Sequence, residues 1–149
     1  MAIGQSRLHS IFRKGKVLKE SVAWFEAFTP TNKTEILNLI REDQLRDKGI
    51  DGTGDIIGTY SFFTSLNNPE KAFNTPYTLY NEGKFYESMF IQVLSESFTV
   101  NADGQKEEDN LFEKYGDEII QFTDENLDKI KGIIRRAYID YVKRILFST

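Results

Sequence analysis

The residues whose types and spacing come nearest to chemistry lie around one glycine-rich stretch, Lys48-Gly-Ile-Asp-Gly-Thr-Gly-Asp-Ile-Ile-Gly-Thr-Tyr60. Asp47, Asp51 and Asp55 recur there at every fourth position, and three carboxylates could hold a divalent cation for metal-assisted hydrolysis. The established loop chemistries fit poorly. A calcium loop needs oxygen ligands at alternate positions and a Glu at the twelfth; counted from Asp47, the third position is Gly49 and the twelfth is Gly58. A phosphate-cradling loop needs a Lys-Ser/Thr pair after its glycines, and Gly54 is followed by Asp55. Aspartic-protease chemistry needs two carboxylates sharing one site, and Asp51-Gly52-Thr53 has the wrong order and no partner copy. The plainer reading is a tight hairpin turn with positive-φ positions, feeding a short strand at Ile56 and Ile57.

Other chemistry is excluded by inventory. There is no Cys, which removes disulfides and thiolate metal sites, and His9 is the only histidine. A histidine-based triad or multi-histidine metal centre therefore cannot form within one chain. Between residues 103 and 125, nine acids stand against Lys106 and Lys114. Carboxylates spread so evenly form a solvated face more often than a cation site. The expectation is no catalytic residue, no metal and no cofactor.

The elements that would position these residues follow from the hydrophobic period. At 149 residues, 40% hydrophobic and 28% charged, the chain fits one soluble domain, residues 1–149, with a real core. Residues 1–15 read as a basic arm or short helix, with Arg7, Arg13 and Lys14 and then Lys16. No apolar run suggests a signal peptide or a membrane span. Val17, Leu18, Val22, Phe25 and Phe28 recur at helical spacing, with Ala23 and Trp24 on one side, up to the stop at Thr29-Pro30. Thr31 or Asn32 can cap the next helix, striped by Ile36, Leu37, Leu39, Ile40 and Leu45 and ended by Gly49. Residues 48–60 are the glycine-rich turn. Residues 61–75 are an aromatic loop with no assigned regular element, too apolar to be freely solvated.

From Pro76 the chain is extended through Tyr77 and Leu79. It turns at Asn81-Glu82-Gly83 and makes one helical turn over Lys84–Ser88, setting Phe85 and Met89 on one side. Residues 89–102 alternate as a hairpin. Met89, Ile91 and Val93 share one face, Ser95-Glu96-Ser97 turns, and Phe98, Val100 and Ala102 return. Asp109 to Tyr115 predicts a short helix ended by Gly116. Thr123 then caps the C-terminal helix, residues 124–147, with a stripe of Leu127, Ile130, Ile134, Tyr138, Tyr141 and Ile145 that Ile133, Ala137, Val142 and Leu146 widen. Its basic face includes Arg135 and Arg136, but the net charge of −4 and the interruptions at Asp128 and Asp140 favour solvation over nucleic-acid binding. The fold class is α+β: a small antiparallel sheet with N-terminal helices and a long C-terminal helix packed on it.

Aromatics make up 13% of the chain. Trp24, Phe62, Phe63, Tyr77, Tyr80, Phe85 and Tyr86 are candidates for core or partner contact, with Arg135 and Arg136 beside them, since rings and Arg are enriched at interface cores.

Three segments resemble small structural proteins of tailed bacteriophages, of the crAss-like and related gut-phage type. They are Gln44-Leu-Arg-Asp-Lys-Gly-Ile-Asp-Gly-Thr-Gly with Ile57-Gly-Thr-Tyr-Ser61, then Pro76-Tyr-Thr-Leu-Tyr-Asn-Glu-Gly-Lys-Phe-Tyr-Glu-Ser-Met-Phe, and then Tyr115-Gly-Asp-Glu-Ile-Ile-Gln-Phe-Thr-Asp-Glu-Asn-Leu. The second is similar to a Thr-Gly-x-Phe/Leu-x-x-Ser signature of tail-completion and neck proteins, from which this chain departs at Glu82, where Thr is usual. The resemblance implies a non-enzymatic virion component at the head–tail junction, a homo-oligomeric ring linking the portal complex to neck or tail proteins. DNA would at most pass through it, without sequence-specific binding, and no membrane is involved. The alternative is a small regulatory protein that binds a partner protein through its C-terminal helix.

Overall fold

A computed structural model describes residues 19–147. It is mixed helix and strand, with helices first, small antiparallel ladders in the middle and one long helix last. The basic arm, together with Val17 and Leu18, lies outside the described residues.

Helix α1, Glu20–Glu26, is followed by α2, Pro30–Asn38. The cap of α2 is Thr29, not Thr31 or Asn32: its side chain accepts from the Asn32 backbone N–H at 3.1 Å and Pro30 takes the first helical position. Proline suits that place because its missing N–H would have no partner there. The α1 stripe also differs from expectation. Ala23, Ala27 and Phe28 are buried, whereas Val22 and Phe25 face outward. Small alanines let α1 approach its neighbours closely, and the bulky pair is left on the outside.

At Leu39 the helix widens into π winding, Leu39–Lys48, and stops at Gly49 with φ +64°. The glycine-rich turn then closes as a bridge between Ile50 and Ile56 rather than a continuous strand. Asp51 Oδ1 accepts from the Thr53 N–H at 2.8 Å and from its hydroxyl, so this carboxylate holds its own turn. Gly52 N–H donates to the Glu118 carbonyl at 2.8 Å, tying the turn to a distant segment.

Residues 61–75, read from sequence as a loop, contain helix α3, Phe62–Asn67. Ser61 caps it by accepting from the Thr64 N–H at 3.2 Å. Helix α4, Lys84–Ser88, follows Gly83 and leads directly into the hairpin of β1, Phe90–Val93, and β2, Phe98–Asn101. Its register pairs Ile91 with Val100 and Val93 with Phe98, which places Met89 and Ile91 inward and Phe90 outward. A second, minimal hairpin of β3, Gln105–Lys106, and β4, Asp109–Asn110, makes a separate two-stranded ladder. Asn110 caps α5, Leu111–Tyr115, and a 3₁₀ turn, Asp117–Ile120, leads to α6, Asp124–Phe147.

The core gathers Ile36, Ile40 and Leu45 from the second helical stretch, Phe85 and Met89 around α4, Ile91 of β1, Ile119, and Ile130 with Ile133 of α6. Ile36, Ile40, Leu45 and Ile119 are fully covered. Each such side chain contributes about 1.5–3 kcal/mol relative to exposure. The buried seam of α6 is Asn126, Ile130, Ile133 and Tyr141, while Leu127 and Tyr138 of the expected stripe stay exposed.

Candidate interaction surfaces

A polar lock fixes the second helical stretch to the start of α6. Gln44 has no exposed surface, although its residue type gave no reason to expect burial. Its Nε2 donates to the Gln121 carbonyl at 2.8 Å, and its Oε1 accepts from the Thr123 N–H at 3.0 Å and from Asn126 Nδ2 at 2.8 Å. Asn126 Nδ2 also reaches Asp43 Oδ2 at 3.0 Å. Burial works against the Asp43 charge, but hydrogen bonds from Asn126 and Lys48 outweigh it and hold the carboxyl below the usual aspartate range. Nearby, Arg41 donates to the Met89 carbonyl at 2.9 Å, tying the π segment to the end of α4.

The tyrosines form a second structural unit. Thr59 bridges to Pro76, and the Tyr77 N–H donates to the Gly58 carbonyl at 2.7 Å, holding Pro76–Tyr77 against the glycine-rich turn. Tyr77 then meets Tyr60 edge-on at 4.8 Å and Tyr115 at 6.0 Å between ring centroids. Tyr80 stacks edge-on against Tyr86 at 5.2 Å, with the Arg46 guanidinium 4.6 Å from the Tyr80 ring. The Tyr86 hydroxyl donates to the Thr78 carbonyl, and burial pushes its pKa above the ordinary tyrosine value. Of the rings singled out in sequence, Phe85 and Tyr86 are thus buried as core, Tyr77 is half-buried, and Tyr80 keeps 37% of its surface exposed. Together Tyr60, Tyr77, Tyr80 and Tyr115 border a cleft of about 590 Å³.

Phe62 and Phe63 behave differently. They are 55% and 76% exposed, and Leu66 and Phe73 beside them are exposed to a similar degree. Phe62 lies edge-on to both Phe63, at 6.2 Å, and Phe73, at 6.1 Å. Ser61 capping makes the helix, and its short length leaves these side chains without a core to enter. Clustered exposed rings of this kind are a candidate contact surface.

Trp24 and Arg135 come together at a third place, a groove of about 380 Å³ between α1 and α6 that is also lined by Ala23, Ile134 and Tyr138. The Trp24 indole N–H donates to the Leu94 carbonyl at 2.6 Å, and its ring meets Phe28 edge-on at 4.9 Å. Arg136 is separated from this groove and faces Glu35 at 3.7 Å. Arg144 pairs with Glu26, and the Lys19 N–H donates to the Tyr141 hydroxyl at 3.3 Å, so α1 is tied to α6 at several points.

Among the described residues no group of three or more His, Asp or Glu side chains is placed to hold a metal ion. No helix among them is long and apolar enough to cross a membrane. Comparison with protein-family models, with curated proteins and with solved structures finds no match for this chain.

Proposed function

We propose that this chain is a non-enzymatic structural protein of a tailed-phage particle, a ring-forming connector, neck or tail-completion component that links the portal complex to the tail. The observation that carries the reading is the exposed apolar cluster of Phe62, Phe63 and Leu66 on a capped helix with Phe73 beside them, large side chains left outside the core. The groove at Trp24 and Arg135 shares no residue with that cluster. A head-to-tail ring needs two different surfaces on each copy, one to meet each neighbour. The segments that resemble phage neck and tail-completion proteins, Gln44–Gly54 with Ile57–Ser61, Pro76–Phe90 and Tyr115–Leu127, flank the exposed cluster without including it. Of the carboxylates in the glycine-rich turn, Asp51 serves the turn itself by accepting from Thr53.

The test is complementation of a phage lacking the gene. Phe62→Asp with Phe63→Asp should yield heads and tails that fail to join. Normal infectious particles from that variant would overturn the proposal.

The second reading is a regulator that binds a partner protein along its C-terminal helix. It is favoured by the apolar side chains Ile134 and Tyr138 beside Trp24 in the α1–α6 groove. Under that reading Tyr138→Asp would abolish partner capture, and the chain would be absent from purified particles.

A further inference from the structure

The tyrosine-bordered cleft carries features that neither core packing nor a contact between copies requires. Its volume of about 590 Å³ falls within the range of about 300–1,000 Å³ usual for small-molecule sites. Four lysines line it. Lys71 Nζ lies 5.7 Å from the centre of the Tyr60 ring, and Lys114 Nζ lies 5.5 Å from that of Tyr115. Lys84 is paired with Glu82 at 3.0 Å, but among the described residues no carboxylate lies within ion-pair reach of Lys71, Lys106 or Lys114. Glu107 and Asp109 also reach the lining, so the cleft holds four ammonium groups against three carboxylates in a chain whose net charge is −4. Two of its residues, Leu79 at φ 55° and Glu107 at φ 52°, adopt left-handed backbone that side-chain-bearing residues rarely accept. Such strain persists where the surroundings over-determine it, and it gathers at binding sites.

Unpaired ammonium groups beside tyrosine rings suit a ligand with an anionic part and a flat part. Phosphate satisfies the first and a nucleobase the second, as in single-strand binding grooves, where aromatic stacking tolerates any base. We propose that this cleft binds a nucleotide unit, its phosphate held by Lys71, Lys106 and Lys114 and its base laid against the tyrosines, without preference for sequence. The unit can be a free nucleotide or one residue of a single DNA strand. The proposal is independent of the ring reading, since a regulator could carry the same cleft.

Two titrations of the full chain test it: a fluorescein-labelled oligothymidylate followed by anisotropy, and thymidine monophosphate followed by calorimetry. Binding of either probe that weakens as salt rises, and that falls at least tenfold in Lys71→Gln with Lys114→Gln, supports the site. Binding of the oligomer alone identifies a strand as the source, and binding of the monophosphate alone identifies the free nucleotide. No binding of either probe by folded protein overturns the proposal. So does binding that the double variant leaves unchanged. Should circular dichroism show the double variant unfolded, Lys106→Glu, on the exposed β3 ladder, is titrated instead, and a loss of less than threefold overturns the site.

Discussion

At the scale of single residues, the least replaceable side chain is Gln44. It is fully buried and satisfies the Gln121 carbonyl, the Thr123 N–H and the Asn126 amide together. Gln44→Leu keeps the volume but leaves the Gln121 carbonyl and the Thr123 N–H without this partner, each at about 1–3 kcal/mol, while Asn126 Nδ2 keeps its bond to Asp43. We expect a loss of about 3 kcal/mol or more in urea denaturation, with helicity retained in what remains folded. Asp43 gives the same lock a pH dependence. Its folded pKa lies below the ordinary value, so its contribution to stability is fully present above the unfolded aspartate pKa, about 3.9, and is lost as pH falls through the lower folded value. Stability measured from neutral pH downward should therefore fall below about pH 4, and Asp43→Asn should flatten that part of the curve. An identical acid profile in the variant would show that other carboxylates set it.

At the scale of elements, glycines decide how the chain passes from one piece to the next. Gly49 ends the π segment at φ +64°, and a Cβ there would sit 2.4 Å from Pro76 Cβ and 2.7 Å from the Tyr77 carbonyl oxygen. Gly54 has a similarly positive φ of +89° but open space around it. Both alanine variants carry the left-handed penalty of about 1–2 kcal/mol. Gly49→Ala should cost clearly more than Gly54→Ala, because backbone must also move. Gly83, at φ +83°, starts α4, and its Cβ would come within 3.3 Å of the Tyr80 ring and hydroxyl. Gly83→Val should therefore lower stability by about 2 kcal/mol or more, a branched side chain being the worst fit to this backbone. Thermal melts of the three variants check the order.

These turns also show how much of the fold was legible in sequence. Gly83 with Lys84–Ser88, the alternation across Met89–Ala102 and the Thr123 cap were readable because each is a local rule acting alone. Helix α3 was not, because its start rests on a single Ser61 hydroxyl and its rings point outward, which breaks the usual link between apolar spacing and burial. The β3–β4 ladder escaped notice because two-residue polar strands carry no alternation. The inward face of α6 was legible at Ile130, Ile133 and Tyr141 but not at Asn126, a polar residue that occupies a buried position through its bond to Gln44, some 80 residues away in sequence. Of the candidate contact residues, sequence named the rings but could not sort them. Burial separates Phe85 and Tyr86 from the exposed Phe62 and Phe63, and that separation depends on tertiary packing.

At the scale of the whole molecule, surface rings and buried rings make different predictions. Replacing Phe62 and Phe63 by Ser removes little buried area, so the variant should unfold within about 0.5 kcal/mol of the parent, as surface changes do. The same change should reduce self-association measured by light scattering, because truncating aromatic anchors weakens an interface far more than it weakens a monomer. A normal oligomer from a normally stable variant would move the contact surface elsewhere, with the α1–α6 groove the next to test. The most direct measurement of the central claim is quantitative mass spectrometry of purified phage particles. A connector should be present in a fixed, whole-number ratio to the portal protein, and its absence from particles that contain portal and tail would contradict the account.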